Sequence, residues 1–193
     1  MNSGPTELLE FPDAAAWDAW LARNHGLAPE AWLRIRRKNA DLPLIAIGDA
    51  LDVALCHGWI DGTRRGLDDV SFRQRYSPRR PRSAWSQVNV ARAEALHAAG
   101  RMRPGGLAQM TAARADGRWA AAYPRQAVSE VPPDLALALA ADPEAEAVFA
   151  SLGRTAKYAV VLPLLTARSP EARARRVEQA VERIRMRGGG DAG

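Results

Sequence analysis

The chain has 193 residues, 47% hydrophobic and 25% charged, a balance that suits one globular domain or one domain with a helical extension. A formal net charge of +5 and a pI of about 10.1 direct attention to nucleic acid, an anionic membrane surface or acidic ligands as partners. Cys56 is the single cysteine, which excludes an intramolecular disulfide and an all-cysteine zinc site.

Asp13 is placed to cap a helix that carries Trp17, Trp20 and Leu21 on one face and stops at Gly26. Residues 31–37 alternate apolar and basic side chains, Trp32, Leu33 and Ile35 among them, and read as a strand. Residues 49–57 place Leu51, Ala54 and Leu55 at helical spacing and end at Gly58. Residues 63–66 and 70–76 read as two strands of a hairpin turning at Leu67-Asp68-Asp69. From Asn89 the pattern becomes helical. One helix runs from Asn89 to Gly100 and another from Pro104 to Gly117. A Pro-containing linker over 123–133 precedes helices at 134–140, 143–152, 155–167 and 170–187, with Pro163 set to kink or shorten the third. These elements predict an α+β fold, a small antiparallel sheet packed by helices and followed by a helical C-terminal half. The front half occupies residues 1–122, the helical region of the same compact unit 134–187, and a disordered glycine-rich tail 188–193.

The segment 56–62, Cys-His-Gly-Trp-Ile-Asp-Gly, and the segment 77–89 carry the densest chemistry. In an extended chain Trp59 and Asp61 point the same way, so an indole and a carboxylate line one wall. Asp61 then binds a cation or amide, or acts as a general base, with a nearby arginine keeping it ionised. The competing reading puts Trp59 in the core and makes Asp61 a turn cap. Cys56 and His57 are neighbours on a helix and project about 100° apart, so adjacency gives no nucleophile–base pair.

Between positions 64 and 82, seven arginines face two aspartates. Arg79, Arg80 and Arg82 alternate with Pro78 and Pro81, a spacing that suits an anion grip and equally a solvated loop. Lys38 and Lys157 are the only lysines, and arginine in place of lysine is also the mark of a GC-rich genome. Arg75 lies on the same hairpin. Trp85 either staples the next helix or stacks on a ligand, with burial favoured, and Ser86 is a capping type. The last helix carries Val177, Val181 and Ile184 on one stripe, with arginines balanced by Glu171, Glu178 and Glu182 at i,i+4 spacing. No P-loop, G-x-G-x-x-G, H-E-x-x-H or G-x-S-x-G occurs, and three scattered histidines give no metal pattern.

Glu30-Ala31-Trp32-Leu33, the Leu55–Gly62 core of 50–62, 75–89, Gly100–Pro104, Gly117-Arg118-Trp119 with Ala122-Tyr123, Thr155–Tyr158 and 166–176 occur together in this order. In these stretches the chain resembles the YdeI/OmpD-associated family of bacteriocin-protection proteins, a bacterial family, over about residues 7–187. The resemblance implies protection against antimicrobial peptides or association with an outer-membrane porin, and it carries no catalytic residues over. The N-terminus shows neither a basic n-region nor an apolar h-region, and the longest apolar run, 159–167, cannot span a bilayer. A cytoplasmic location is therefore expected and a porin role is not supported.

The expected function is a stress- or antimicrobial-resistance protein that binds a small or peptidic ligand, without cofactor or metal. Its cleft would be lined by Trp59, Asp61, Arg75, Arg79, Arg82, Trp85 and Ser86. The alternatives are a nucleic-acid-binding module that uses the arginine loop and a small enzyme, of secondary metabolism for example, with Asp61 as acid or base.

Overall fold

A computed structural model describes residues 7–124, 130–167 and 169–188. The chain clusters into two compact units, Met1–Ser83 with Asn89–Ala120, and Ala84–Val88 with Ala121–Gly193. They are called the front and rear units below.

The front unit is built on a four-stranded sheet in the order β1-β2-β4-β3, with β1 Leu8–Leu9, β2 Ala31–Arg36, β3 Trp59–Gly66 and β4 Ser71–Pro78. β2, β4 and β3 pair antiparallel as expected, but the sheet is mixed because β1 joins β2 in parallel. The two residues of β1 are too short a run for alternation to reveal them. The expected hairpin is present, and β3 starts earlier, at Trp59. Asp68 fixes its turn by accepting the Val70 and Ser71 backbone N–H groups at 3.0 and 2.6 Å.

Two helices, α1 (Ala14–Asn24) and α2 (Ile47–Cys56), cover one face of the sheet. Asp13 caps α1, accepting the Ala16 N–H at 2.8 Å. The core holds Trp17 and Leu21 of α1, Ala50, Val53 and Ala54 of α2, and Ala31, Leu33, Ile35, Trp59, Phe72 and Tyr76 of the sheet. The face of α2 that meets the sheet is thus small-sided. Leu55 is buried away from this cluster, Leu51 is half-buried, and Trp32 points to the other side of the sheet, so these three lie outside the core. Trp17 Nε1 donates to Ala50 O at 3.1 Å and ties α1 to α2.

Next come α3 (Gln87–Ala98) and α4 (Pro104–Ala115). Asn89 lies inside α3, two residues past its start, and so does not cap it. α4 packs on the end of α2 through glycines. A Cβ on Gly105 would stand 2.7 Å from His57 O, and one on Gly106 2.7 Å from Leu55 O.

The rear unit contains α5 (Pro133–Ala140), α6 (Pro143–Ser151), α7 (Arg154–Leu165) and α8 (Pro170–Gly188). Its core is Leu135, Leu139, Ala145, Phe149, Val161, Leu164, Val177, Ala180 and Ile184. Pro163 lies two residues before the end of α7, so the helix stops short of the expected residue 167. The arginines of α8 pair across helices instead of along their own. Arg173 Nε donates to Asp134 at 2.6 Å, and Arg185 pairs with Asp142. The expected linker at 123–133 lies partly, and the tail beyond Gly188 wholly, outside the described residues.

Candidate functional site

The site begins with a break in strand register. Asp61 pairs with Tyr76 and Arg64 with Gln74, so β3 fits two residues, Gly62 and Thr63, opposite Arg75 alone. This bulge re-aims the strand. Without it, alternation from Asp61 would bring residues 63 and 65 to the Asp61 face; with it, Arg64 comes there and Arg65 turns away. Buried Gln74 holds the bulge. Its Nε2 donates to Gly62 O at 2.9 Å, and its Oε1 accepts from Arg64 Nε at 3.2 Å. Arg64 also lies over the Phe72 ring, 4.5 Å from the centroid.

Asp61 and Tyr76 therefore face the same side of the sheet as the core, at the end of β3 beyond Trp59. Asp61 remains open to solvent as a residue, while protein packed about its carboxyl raises its pKa above the ordinary carboxylate value. Its own backbone N–H and the charges of Arg64, Arg79 and Arg92 oppose that rise. Desolvation of the carboxyl thus outweighs the three guanidiniums in setting the direction of the shift, although each of them favours the ionised form, as expected of a nearby arginine. Tyr76 is fully buried, and burial first, then the Asp61 charge, raises its hydroxyl well above the usual range. That hydroxyl has no hydrogen-bond partner among the described residues, an uncommon condition for a buried O–H. Arg92 of α3 reaches the same region and pairs with Asp52 at 2.5 Å. Arg79 is 4% exposed, and its N–H donates to Gly58 O at 3.0 Å.

The structure brings only part of the expected set together. Asp61 and Arg79 lie near enough for the arginine's charge to act on the carboxyl. Trp59 shares their face but is 1% exposed, packed edge-on against Trp17 and donating from Nε1 to His25 O at 3.2 Å, so it is a core residue. Arg75 is next to Tyr76 in β4 and so projects from the opposite face, where it pairs with Glu30 at 2.6 Å. Arg82 is exposed, with φ at 71°. Burial of Arg79 leaves Arg80 and Arg82 as the outward guanidiniums, so the three do not form one grip. Trp85, 1% exposed, and Ser86, bridged to Tyr123, belong to the rear unit. The residues that sequence reasoning missed are Arg64, Gln74, Tyr76 and Arg92. Once the hairpin is recognised, alternation from Phe72 predicts that Gln74 and Tyr76 share a face; the bulge that adds Arg64 leaves no such mark.

A second polar cluster lies where α1, α2 and α4 meet. Buried His57 donates from Nε2 to Asp18 Oδ1 at 2.7 Å, and Arg103 donates to Asp18 Oδ2 at 2.7 Å. Burial pulls the His57 pKa down, partly offset by Asp18. Burial raises the Cys56 thiol, which keeps it protonated and unreactive. Among the described residues no three His, Cys, Asp or Glu side chains gather as metal ligands, and no helix is long and apolar enough to cross a membrane.

Comparison with known families divides the chain near the same place as its contacts do. The chain belongs to the family described as "Domain of unknown function (DUF8412)", whose model matches residues 9–109, just over half of its length. Residues 128–186 match the model described as "Bacteriocin-protection, YdeI or OmpD-Associated". The resemblance to that family is thus shown for the C-terminal region, while the stretch that holds Asp61 matches a different model. No curated protein and no solved structure matches the chain.

Proposed function

We propose that this chain is a cytoplasmic resistance-type protein whose front unit binds a small or peptidic ligand at Asp61, Tyr76, Arg64, Arg79 and Arg92. The observation that carries this reading is the Tyr76 hydroxyl, fully buried and without a partner among the described residues, on the strand position facing Asp61. A buried hydroxyl without a partner costs about 1–3 kcal/mol, and a ligand oxygen or nitrogen would offset that cost. The guanidiniums suit a carboxylate, and Asp61 suits an amide or ammonium N–H. A peptide or amino-acid derivative carries both groups. The match of residues 128–186 to the bacteriocin-protection model supports the resistance role, and it does so through the rear unit.

The raised Asp61 pKa favours one second reading, a small enzyme in which Asp61 moves a proton. One experiment separates the two. Amino acids and dipeptides are titrated calorimetrically into the full chain and into Asp61→Asn and Tyr76→Phe. Binding lost in both variants, with melting temperatures kept, supports the binding reading. Binding kept with turnover lost in Asp61→Asn favours the enzyme. Binding and turnover unchanged in both variants would remove this site from consideration.

A further inference from the structure

A second feature of the front unit is a hollow of about 400 Å³ at the end of β2, walled by Arg36, Arg37, Lys38, Arg64, Ile47 and Phe72. We propose that it is a binding site for a phosphorylated small molecule, with the phosphate held by Arg36, Lys38 and Arg64. The sequence places three consecutive cations, Arg36-Arg37-Lys38, where β2 runs out, and the bulge of β3 turns Arg64 to meet them.

Four cations line this hollow and no carboxylate does. Arg64 and Arg37 use their guanidiniums on neutral groups, the Gln74 amide oxygen at 3.2 Å and the Asp68 backbone carbonyl at 3.1 and 3.3 Å, so both keep their charge. Among the described residues none of the four is paired with a carboxylate, although ten such ion pairs occur elsewhere. Asp13, Asp41 and Asp49 line the neighbouring groove, which shares Arg36 and Ala46 with the hollow, and so flank the site without lining it. Like charges gathered without a counter-charge repel one another, and a bound anion removes that repulsion. Phosphate matches the set because its several oxygens accept from separate forks and an ammonium at once. The volume falls within the range of small-molecule sites. Ile47 and Phe72 supply apolar wall for the organic part of the ligand.

The test is pyrophosphate titrated into the full chain by calorimetry at low salt. Arg36→Gln with Lys38→Gln is the decisive double variant, because no described hydrogen bond or ion pair is lost with these side chains. Arg23→Gln with Arg101→Gln makes the same change of net charge at exposed positions elsewhere. The proposal expects at least a tenfold loss of affinity in the first double variant, an unchanged melting temperature, and wild-type affinity in the second. A parallel arm with phosphatidylcholine vesicles containing phosphatidic acid separates a lipid headgroup from a free phosphate compound as the source. Absence of pyrophosphate binding, or equal losses in the two double variants, would overturn the site. An affinity moved by Asp61→Asn, with the first double variant unaffected, would place the anion beside Arg79 and Arg92 and overturn it too.

Discussion

Asp61 shows how far one residue's position and its ionisation can come from different causes. Its place on a wall beside Trp59 follows from strand alternation, and the sequence is enough to see it. The direction of its pKa shift does not follow, because desolvation of the carboxyl in the fold outweighs the nearby guanidiniums. With the folded pKa raised, the favourable contribution of protonated Asp61 is fully present below 3.8 and is lost as pH rises through the folded value. At neutral pH an ionised Asp61 therefore weakens the fold. Asp61→Asn is expected to melt at the wild-type temperature or higher at pH 7, with the difference vanishing below pH 3.8, as read by calorimetry in a pH series. Tyr76→Phe removes a buried hydroxyl that has no partner among the described residues, so urea unfolding should show equal or greater stability. A variant that loses ligand while gaining stability is the mark of a group kept for binding. A simple turn cap at Asp61 would instead tolerate asparagine in every assay.

Helix α2 is the element on which the front unit turns, since its two sides meet the sheet and α4. That a helix lies here was readable from the spacing of Leu51, Ala54 and Leu55. Which side faces the sheet was not. Ala50, Val53 and Ala54 meet it, a choice that depends on how closely the bulky Trp17 and Trp59 let the helix approach. Glycines 105 and 106 likewise look like ordinary helix-weakening residues until α2 is seen against them. A methyl on Gly106 would run into the backbone carbonyls of Cys56 and Leu55, which cannot give way as the neighbouring Met102 side chain can. Gly106→Ala should therefore lower stability by about 1–3 kcal/mol or more, despite alanine's better helix propensity. Leu55→Ala should cost about 2–5 kcal/mol, because Leu55 is 2% exposed. Both are checked by urea denaturation, and a Gly106→Ala variant that gained stability would contradict the close approach of α4. The strands show the same division. Pairing of β3 with β4 was legible from the turn, whereas the bulge held by Gln74 was hidden, because it depends on a side chain satisfying carbonyls across the sheet.

Across the whole molecule the two units carry their charge in different ways, and acid should separate them. All three histidines, His25, His57 and His97, lie in the front unit. His57 is buried and its pKa is depressed, chiefly by that burial, so its contribution is present above 6.5 and is lost as pH falls through the lower folded value. Asp18 sits below 3.8: burial pushes it up, but hydrogen bonds from His57 and Arg103 outweigh that. In the rear unit the depressed groups are carboxylates, Asp134 through its hydrogen bond from Arg173 and Asp142 through that from Arg185. Their contribution is present above 3.8 and fades as pH falls below it. Both pairs are largely solvated, so each is a small effect that salt weakens further. Amide hydrogen exchange measured from pH 7 to about pH 2, corrected for intrinsic rates, should therefore show protection falling first in α1, α2 and the sheet, beginning below 6.5. Protection in α5 to α8 should hold until the carboxylate range. His57→Gln keeps a donor for Asp18 but cannot take up a proton, so it should remove the first loss and leave the second. Simultaneous loss in both units, or a front-unit loss that persists in His57→Gln, would show that acid acts through some group other than this histidine.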